Sequence, residues 1–166
     1  YFAKEMGLPV NKLICASNAN NILTDFINTG VYDRNRSFYA TTSPSMDILI
    51  SSNLERLLYI LCGRDDNTIN EWFSSLKENG KYTISDDVKA QIQSLFSAGC
   101  CDDDATKATI GETYKAYDYL ADTHTSVAIN VCNAYIEATG DKTPVVIAST
   151  ASPFKFSKAV LSAVED

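Results

Sequence analysis

The stretch Val145-Val146-Ile147-Ala148-Ser149-Thr150-Ala151-Ser152-Pro153-Phe154-Lys155-Phe156 decides how the chain is read. Its first four residues are an apolar, largely β-branched run, which suits a strand buried on both faces of a parallel sheet. Ser149-Thr150-Ala151 ends the run. Ser152-Pro153 then forms a helix start, with Ser as the cap and Pro at the first helical position, where its missing amide costs nothing. Phe156, Val160 and Val164 carry the helix on. A strand feeding a helix through a hydroxyl-rich turn is the unit of an α/β layered fold with right-handed crossovers.

The same alternation runs upstream. Lys12 to Ala16 (KLICA) and Ser37 to Thr41 (SFYAT) read as strands. Asn18-Ala19-Asn20-Asn21 supplies capping side chains for a helix with Leu23, Phe26 and Ile27, stopped by Asn28-Thr29-Gly30. Ser52-Asn53-Leu54-Glu55 reads as a capping box ahead of Leu57, Leu58 and Leu61. Thr68 is the expected cap of a helix carrying Ile69, Trp72, Phe73 and Leu76, and Ser85 of one carrying Val88, Ile92 and Leu95. Asp102-Asp103-Asp104 precedes a helix with Ile110, Tyr114 and Tyr117 on one side, and favours the positive end of its dipole. The last long helix follows Asp122-Thr123 and is expected to bury Val127, Val131, Ala134 and Tyr135. The expected fold class is α/β, a small, mostly parallel sheet with flanking helices.

Tyr1 to Pro9 reads as the last turns of a helix, with Gly7 at the left-handed cap and Pro9 beyond it. With no initiator Met, the expectation is a part of a longer polypeptide, truncated at its N-terminus.

Composition narrows the function classes. The chain has 166 residues, 45% hydrophobic and 21% charged, which fits one ordinary folded domain. No run of about 18 apolar residues and no signal-type start is present, so neither a membrane span nor export is expected. A net charge of −7 argues against nucleic acid, whose binding depends on neutralising phosphates. Five cysteines, Cys15, Cys62, Cys100, Cys101 and Cys132, are odd in number and lack a CxxC pair, and read as buried, reduced thiols of a cytoplasmic protein. The single histidine, His124, leaves no metal-ligand cluster.

Ligands of open parallel sheets gather at the carboxyl ends of the strands, beside helix N-termini. Ser149 and Thr150 stand at such an end, where an uncharged hydroxyl can meet a ring nitrogen, a carboxylate or a phosphate. The other use of both hydroxyls is to cap local backbone.

Val146 to Phe156, together with Asp122-Thr123-His124-Thr125-Ser126-Val127-Ala128, resembles the C-terminal part of the threonine synthase family. Three further stretches agree in order: Ala3 to Pro9 (AKEMGLP), Ala16 to Phe26 (ASNANNILTDF), and Ser43 to Ile48 (SPSMDI) running into Ser51 to Leu58 (SSNLERLL). The resemblance spans nearly the whole chain, with residues 64 to 95 contributing least. It implies an incomplete part of the fold type II (tryptophan synthase β-like) architecture, with pyridoxal 5'-phosphate as cofactor and electron sink. It implies conversion of O-phosphohomoserine and water to threonine and phosphate. By position in the family pattern, Thr150 resembles the hydroxyl that faces the pyridine nitrogen, with Ser149 as the substitute.

The resemblance also places the Schiff-base lysine and the phosphate-holding loop upstream of residue 1. No catalytic residue is therefore expected in this segment, which alone should be inactive. His124 is expected to cap and pack; Lys155 and Arg56 are candidates for the substrate phosphate. The alternatives are another β-family PLP lyase, such as a dehydratase, or a non-catalytic α/β module that binds a small anion. A segment parted from upstream strands is also expected to self-associate through exposed surface.

Overall fold

The computed structural model describes residues 1–165. In chain order the first elements are α1 (Phe2–Glu5), β1 (Leu13–Ser17), α2 (Ile22–Thr29), β2 (Val31–Asp33) and a short 3-10 turn (Pro44–Met46). Then come α3 (Ser52–Leu61), α4 (Asp66–Asn79), β3 (Lys81–Thr83), α5 (Asp86–Leu95) and β4 (Phe96–Cys100). The chain finishes with α6 (Asp103–Tyr117), α7 (Thr123–Thr139), a second 3-10 turn (Pro153–Phe156) and α8 (Ser157–Val164). β1 pairs with β4. The amide of Cys101, just past β4, donates to the carbonyl of Ser17 at 3.0 Å, so the carboxyl ends coincide and the pair is parallel. The α/β class expected from the sequence is what forms.

The chain divides into two compact units. The first comprises Tyr1–Cys15, Ile22–Ser37 and Ile48–Ala98. Its core gathers Ile22, Phe26, Tyr32, Leu54, Leu58, Ile69, Trp72, Leu76, Tyr82, Val88 and Ile92 from α2 to α5 and the β2–β3 pair. β2 and β3 are antiparallel and set Tyr32 opposite Tyr82. The two rings stack at 5.4 Å, and Phe26, Trp72 and Phe73 all lie within 6.2 Å of Tyr82. Such ring pairs add about 0.5–1.5 kcal/mol each beyond the area they bury. Gly80 closes α4 at φ +74°, and a Cβ there would stand 2.2 Å from Oδ1 of Asn35.

The second unit comprises Ala16–Asn21, Phe38–Asp47 and Gly99–Asp166, described to residue 165. Here α6 lies against both α7 and α8. Ile110, Val127, Val131, Cys132 and Val160 form its apolar centre. A Cβ on Gly111 would come within 2.8 Å of the Ala163 carbonyl, so the close approach of α6 and α8 needs glycine. Polar bonds also join α6 to α7: Ser126 Oγ donates to the Thr106 carbonyl at 2.9 Å, and Asn130 Nδ2 to Thr109 Oγ1 at 3.0 Å.

Several local expectations are corrected. Residues 145–148 form no strand; Val146 is 95% exposed. A strand exists through its ladder, and no described residue pairs with this one. Residues 37–41 form no strand either. Asn20 takes the Tyr39 amide on Oδ1 at 2.9 Å and gives Nδ2 to the Tyr39 carbonyl at 2.8 Å, so a side-chain amide occupies the ladder positions. The capping box at Ser52 does not form, because α3 begins at Ser52 and Ser51 is its cap residue. α4 is capped by Asp65, which accepts the Asn67 amide at 3.0 Å, while Thr68 donates to that carboxylate at 2.6 Å. A carboxylate upstream outcompetes a hydroxyl as acceptor. Tyr114 and Tyr117 are exposed, as are Ala134 and Cys100. α7 does bury Val127 and Val131, and with them Cys132 and its polar first turn, Thr123 to Ser126.

Candidate functional site

The site lies within the second unit and starts from the N-terminus of α7. Asp122 is the cap residue, only 1% exposed. Its Oδ1 accepts the amides of His124 at 2.9 Å and Thr125 at 3.3 Å, and Oδ2 accepts Thr125 Oγ1. These bonds satisfy orphan amides of the first turn and place a negative charge at the positive end of the helix. Thr123, His124, Thr125 and Ser126 are all buried behind it.

The histidine ring sits between two partners. Nδ1 lies 3.2 Å from Asp122 Oδ1 and 3.3 Å from Thr123 Oγ1, while Nε2 accepts the Ser45 amide at 3.0 Å. A ring nitrogen that accepts an N–H carries no proton, so the bonds fix a neutral imidazole with its hydrogen on Nδ1. The ring also meets Phe156, centroids 4.6 Å apart.

Ser45 is held where His124 needs it by a second polar knot. Asn18, 1% exposed just after β1, donates Nδ2 to Thr41 Oγ1 at 2.8 Å, Ser43 Oγ at 3.0 Å and Asp47 Oδ1 at 2.7 Å. Asn20 Nδ2 reaches Asp47 Oδ1 at 3.0 Å, and Asp47 Oδ2 accepts the Thr41 amide at 3.0 Å. Asp103 accepts both the amide and the hydroxyl of Thr42. Two of the three acids are thus spent on structure: Asp102 caps α6 through the Ala105 amide at 2.8 Å, and Asp103 pins the loop. Among the described residues no group of His, Cys, Asp and Glu could hold a metal ion.

Ser149 and Thr150 fall beside this frame. Ser149 Oγ lies 3.2 Å from Thr125 Oγ1 and accepts the Tyr119 hydroxyl at 3.4 Å. Thr125 Oγ1 is thus shared between the Asp122 carboxylate and Ser149 Oγ. Thr150 is exposed and makes no side-chain hydrogen bond among the described residues. So the structure joins Ser149 to His124 through Thr125 and Asp122, and leaves the neighbouring Thr150 hydroxyl free. Lys155 is exposed, with Nζ 5.5 Å from the Phe156 ring centroid. Arg56 belongs to the first unit, where its guanidinium bonds Asn53 Oδ1 on α3.

The sequence reading missed Tyr119, Thr125 and Ser45. One signal was available: Asp122-Thr123-His124-Thr125-Ser126 is polar throughout at a helix start, and such a run is either fully solvated or fully hydrogen-bonded. The thiol of Cys101 is pushed above its usual value by burial, and it touches Thr106 Oγ1 at 3.3 Å. It is a core group.

The fold is shared by part of a class of larger α/β enzymes. Over 99% of this chain and 34% of the other, it superposes with a TM-score of 0.92 and 42% identity on the PLP-bound threonine synthase from Brucella melitensis. The crystal structure of threonine synthase from yeast gives 0.90 at 37% identity, covering 98% and 35%. In sequence, residues 125–166 match the family model "Threonine synthase, C-terminal". The chain is 42% identical to human threonine synthase-like 1 (99% of this chain, 22% of that protein) and 39% identical to Saccharomyces cerevisiae threonine synthase (99% and 35%). In sequence and in fold, the chain resembles the C-terminal part of threonine synthase. It spans about a third or less of the length of the relatives it matches.

Proposed function

We propose that residues 1–166 form the C-terminal segment of the large domain of a cytoplasmic, pyridoxal-phosphate-dependent threonine synthase. The whole enzyme converts O-phosphohomoserine and water to threonine and phosphate. The observation that carries this reading is the free Thr150 hydroxyl beside Ser149, which contacts Thr125 of the Asp122–His124–Thr125 knot; Thr125, Ser149 and Thr150 lie in the stretch 125–166 that matches the family model.

The donor set fits the cofactor's ring nitrogen. The groups at hand are neutral: two hydroxyls and an imidazole whose proton is already committed. The carboxylate nearest in this bonded chain, Asp122, is spent on His124 and Thr125. A neutral hydroxyl donates to an unprotonated pyridine nitrogen without protonating it. Thr150 takes that position, and Ser149 holds the turn in place through Thr125. When bound, pyridoxal phosphate supplies the electron sink for bond breaking at the substrate's carbons. The lysine that carries it belongs to the remainder of the polypeptide, so the segment alone is inactive. Lys155 offers an exposed cation for the substrate phosphate.

The test is phosphate release from O-phosphohomoserine, with added pyridoxal phosphate, by the complete polypeptide and by residues 1–166. An active complete enzyme beside a silent segment bears the proposal out; a complete polypeptide inactive on this substrate sinks it. The assay includes the amino acids serine and threonine as competing substrates, to test the dehydratase alternative. Turnover of those alone makes the protein a dehydratase-type or other lyase of the same cofactor class.

A further inference from the structure

The His124 ring links two polar knots that the sequence keeps far apart. On one side, Asn18, Asn20 and Asp47 fix the 41–47 loop, whose Ser45 amide reaches Nε2 at 3.0 Å. On the other, Nδ1 lies 3.2 Å from Asp122 Oδ1, and Asp122 Oδ2 takes the hydroxyl of Thr125, which contacts Ser149. No buried side-chain nitrogen or oxygen among the described residues lacks a partner.

We propose that His124 is a positioning residue. Held as the Nδ1–H tautomer, it locks the Ser45 loop to the cap of α7 and so fixes the rotamer of Thr125 and the placement of Ser149. Through that anchor it sets the direction of the adjacent Thr150 hydroxyl. This rests on the reading that Thr150 faces the cofactor ring. Three details favour positioning over acid–base work. The ring is 7% exposed, both nitrogens are engaged, and Phe156 covers it at 4.6 Å between centroids. Only one proton state satisfies both partners: protonated Nε2 would turn an N–H toward the Ser45 N–H. Partners that orient a ligand-contacting group typically cost about 10- to 100-fold in affinity or activity when removed.

The experiment uses the complete polypeptide loaded with pyridoxal phosphate. Cofactor absorption and fluorescence, kcat and KM are measured for wild type, Thr150→Val, His124→Ala and His124→Gln, whose amide oxygen can still accept the Ser45 amide. The expected result is a spectral shift for Thr150→Val, a shift of the same sign for His124→Ala with kcat down about 10-fold or more and KM within about twofold, and partial recovery of both in His124→Gln. A shift for Thr150→Val with none for His124→Ala overturns the proposal and leaves the cofactor reading standing. No shift for Thr150→Val overturns the cofactor reading, and the positioning role with it. Should His124→Ala fail to fold, imidazole 15N chemical shifts of wild type at pH 8 decide: protonated Nδ1 with bare Nε2 supports the lock, and the reverse tautomer or a doubly protonated ring overturns it.

Discussion

Asp122 and His124 are two residues apart in sequence and bonded twice, through the backbone amide of His124 at 2.9 Å and its ring Nδ1 at 3.2 Å. One carboxylate therefore caps a helix and selects a histidine tautomer at once. The site is built where a local helix signal and a long-range contact, the Ser45 amide on Nε2, meet on a single ring.

Removing the carboxylate should be costly. Asp122→Ala takes away the cap of α7 and the acceptor of buried Thr125 and His124 groups, so the expected loss is about 2–4 kcal/mol. Asp122→Asn keeps one carbonyl oxygen and should cost less. Urea unfolding followed by circular dichroism checks both; an alanine variant as stable as wild type would show the cap to be dispensable.

Gly80→Ala carries a different penalty. The position has φ +74°, and a new Cβ would meet Asn35 Oδ1 at 2.2 Å, while Asn35 Nδ2 holds the Asn79 carbonyl at 2.9 Å. The left-handed backbone costs about 1 kcal/mol for alanine, and displacing Asn35 adds a similar amount. The double variant Asn35→Ala with Gly80→Ala should cost less than the sum of the singles. Strict additivity in thermal unfolding would refute the clash.

Two buried tyrosines of the first unit should separate cleanly. Tyr32 Oη accepts the Ser51 amide at 2.9 Å and donates to the Leu49 carbonyl at 3.2 Å. Tyr32→Phe leaves both backbone groups without a partner and should cost about 1–3 kcal/mol. Tyr82 holds its place by ring contacts, so Tyr82→Phe should be nearly neutral and Tyr82→Ala should cost about 3–5 kcal/mol. Equal losses for the two Phe variants in denaturant titrations would contradict the assignment.

The thiols give an expectation in pH. Burial raises the thiols of Cys15 and Cys101 above the ordinary value of 9.0. The fold thus holds the neutral forms more tightly than the unfolded chain does. Their contribution is complete below pH 9.0, and it is lost as pH rises from there through the raised values. Denaturant midpoints should fall above pH 9.0, and less steeply in a Cys15→Ala variant measured against its own neutral-pH midpoint. In native alkylation at pH 8, Cys100 should react well before its buried neighbour Cys101. Equal rates would mean that Cys101 is not buried where the chain leaves β4.

Much of the fold was legible locally. KLICA gave a strand, shifted by one residue to Leu13–Ser17, and Ser85, Asp102 and Asp122 begin helices by accepting amides of the first turn. Caps can be read because donor and acceptor lie within three residues of one another. Thr68 failed because Asp65 stands in better register with the first turn, and Ser52 because it is already the first residue of α3. Of the site, Ser149 and Thr150 were legible as hydroxyls after an apolar run. Thr125 and Tyr119 were not, because nothing within a few residues of Ser149 points to partners 24 and 30 positions away.

By itself the sequence determined the alternation of helices with short apolar runs, the capped starts of α5, α6 and α7, and the likeness to a family of larger enzymes. Each rests on neighbours along the chain. Only the tertiary structure decided that the polar run 122–126 is buried, that SFYAT is bonded by Asn20 in place of a strand, and which nitrogen of His124 carries the proton. Those outcomes depend on groups brought together across 19 to 79 residues. A buried polar group has a defined state only when all its partners are in place.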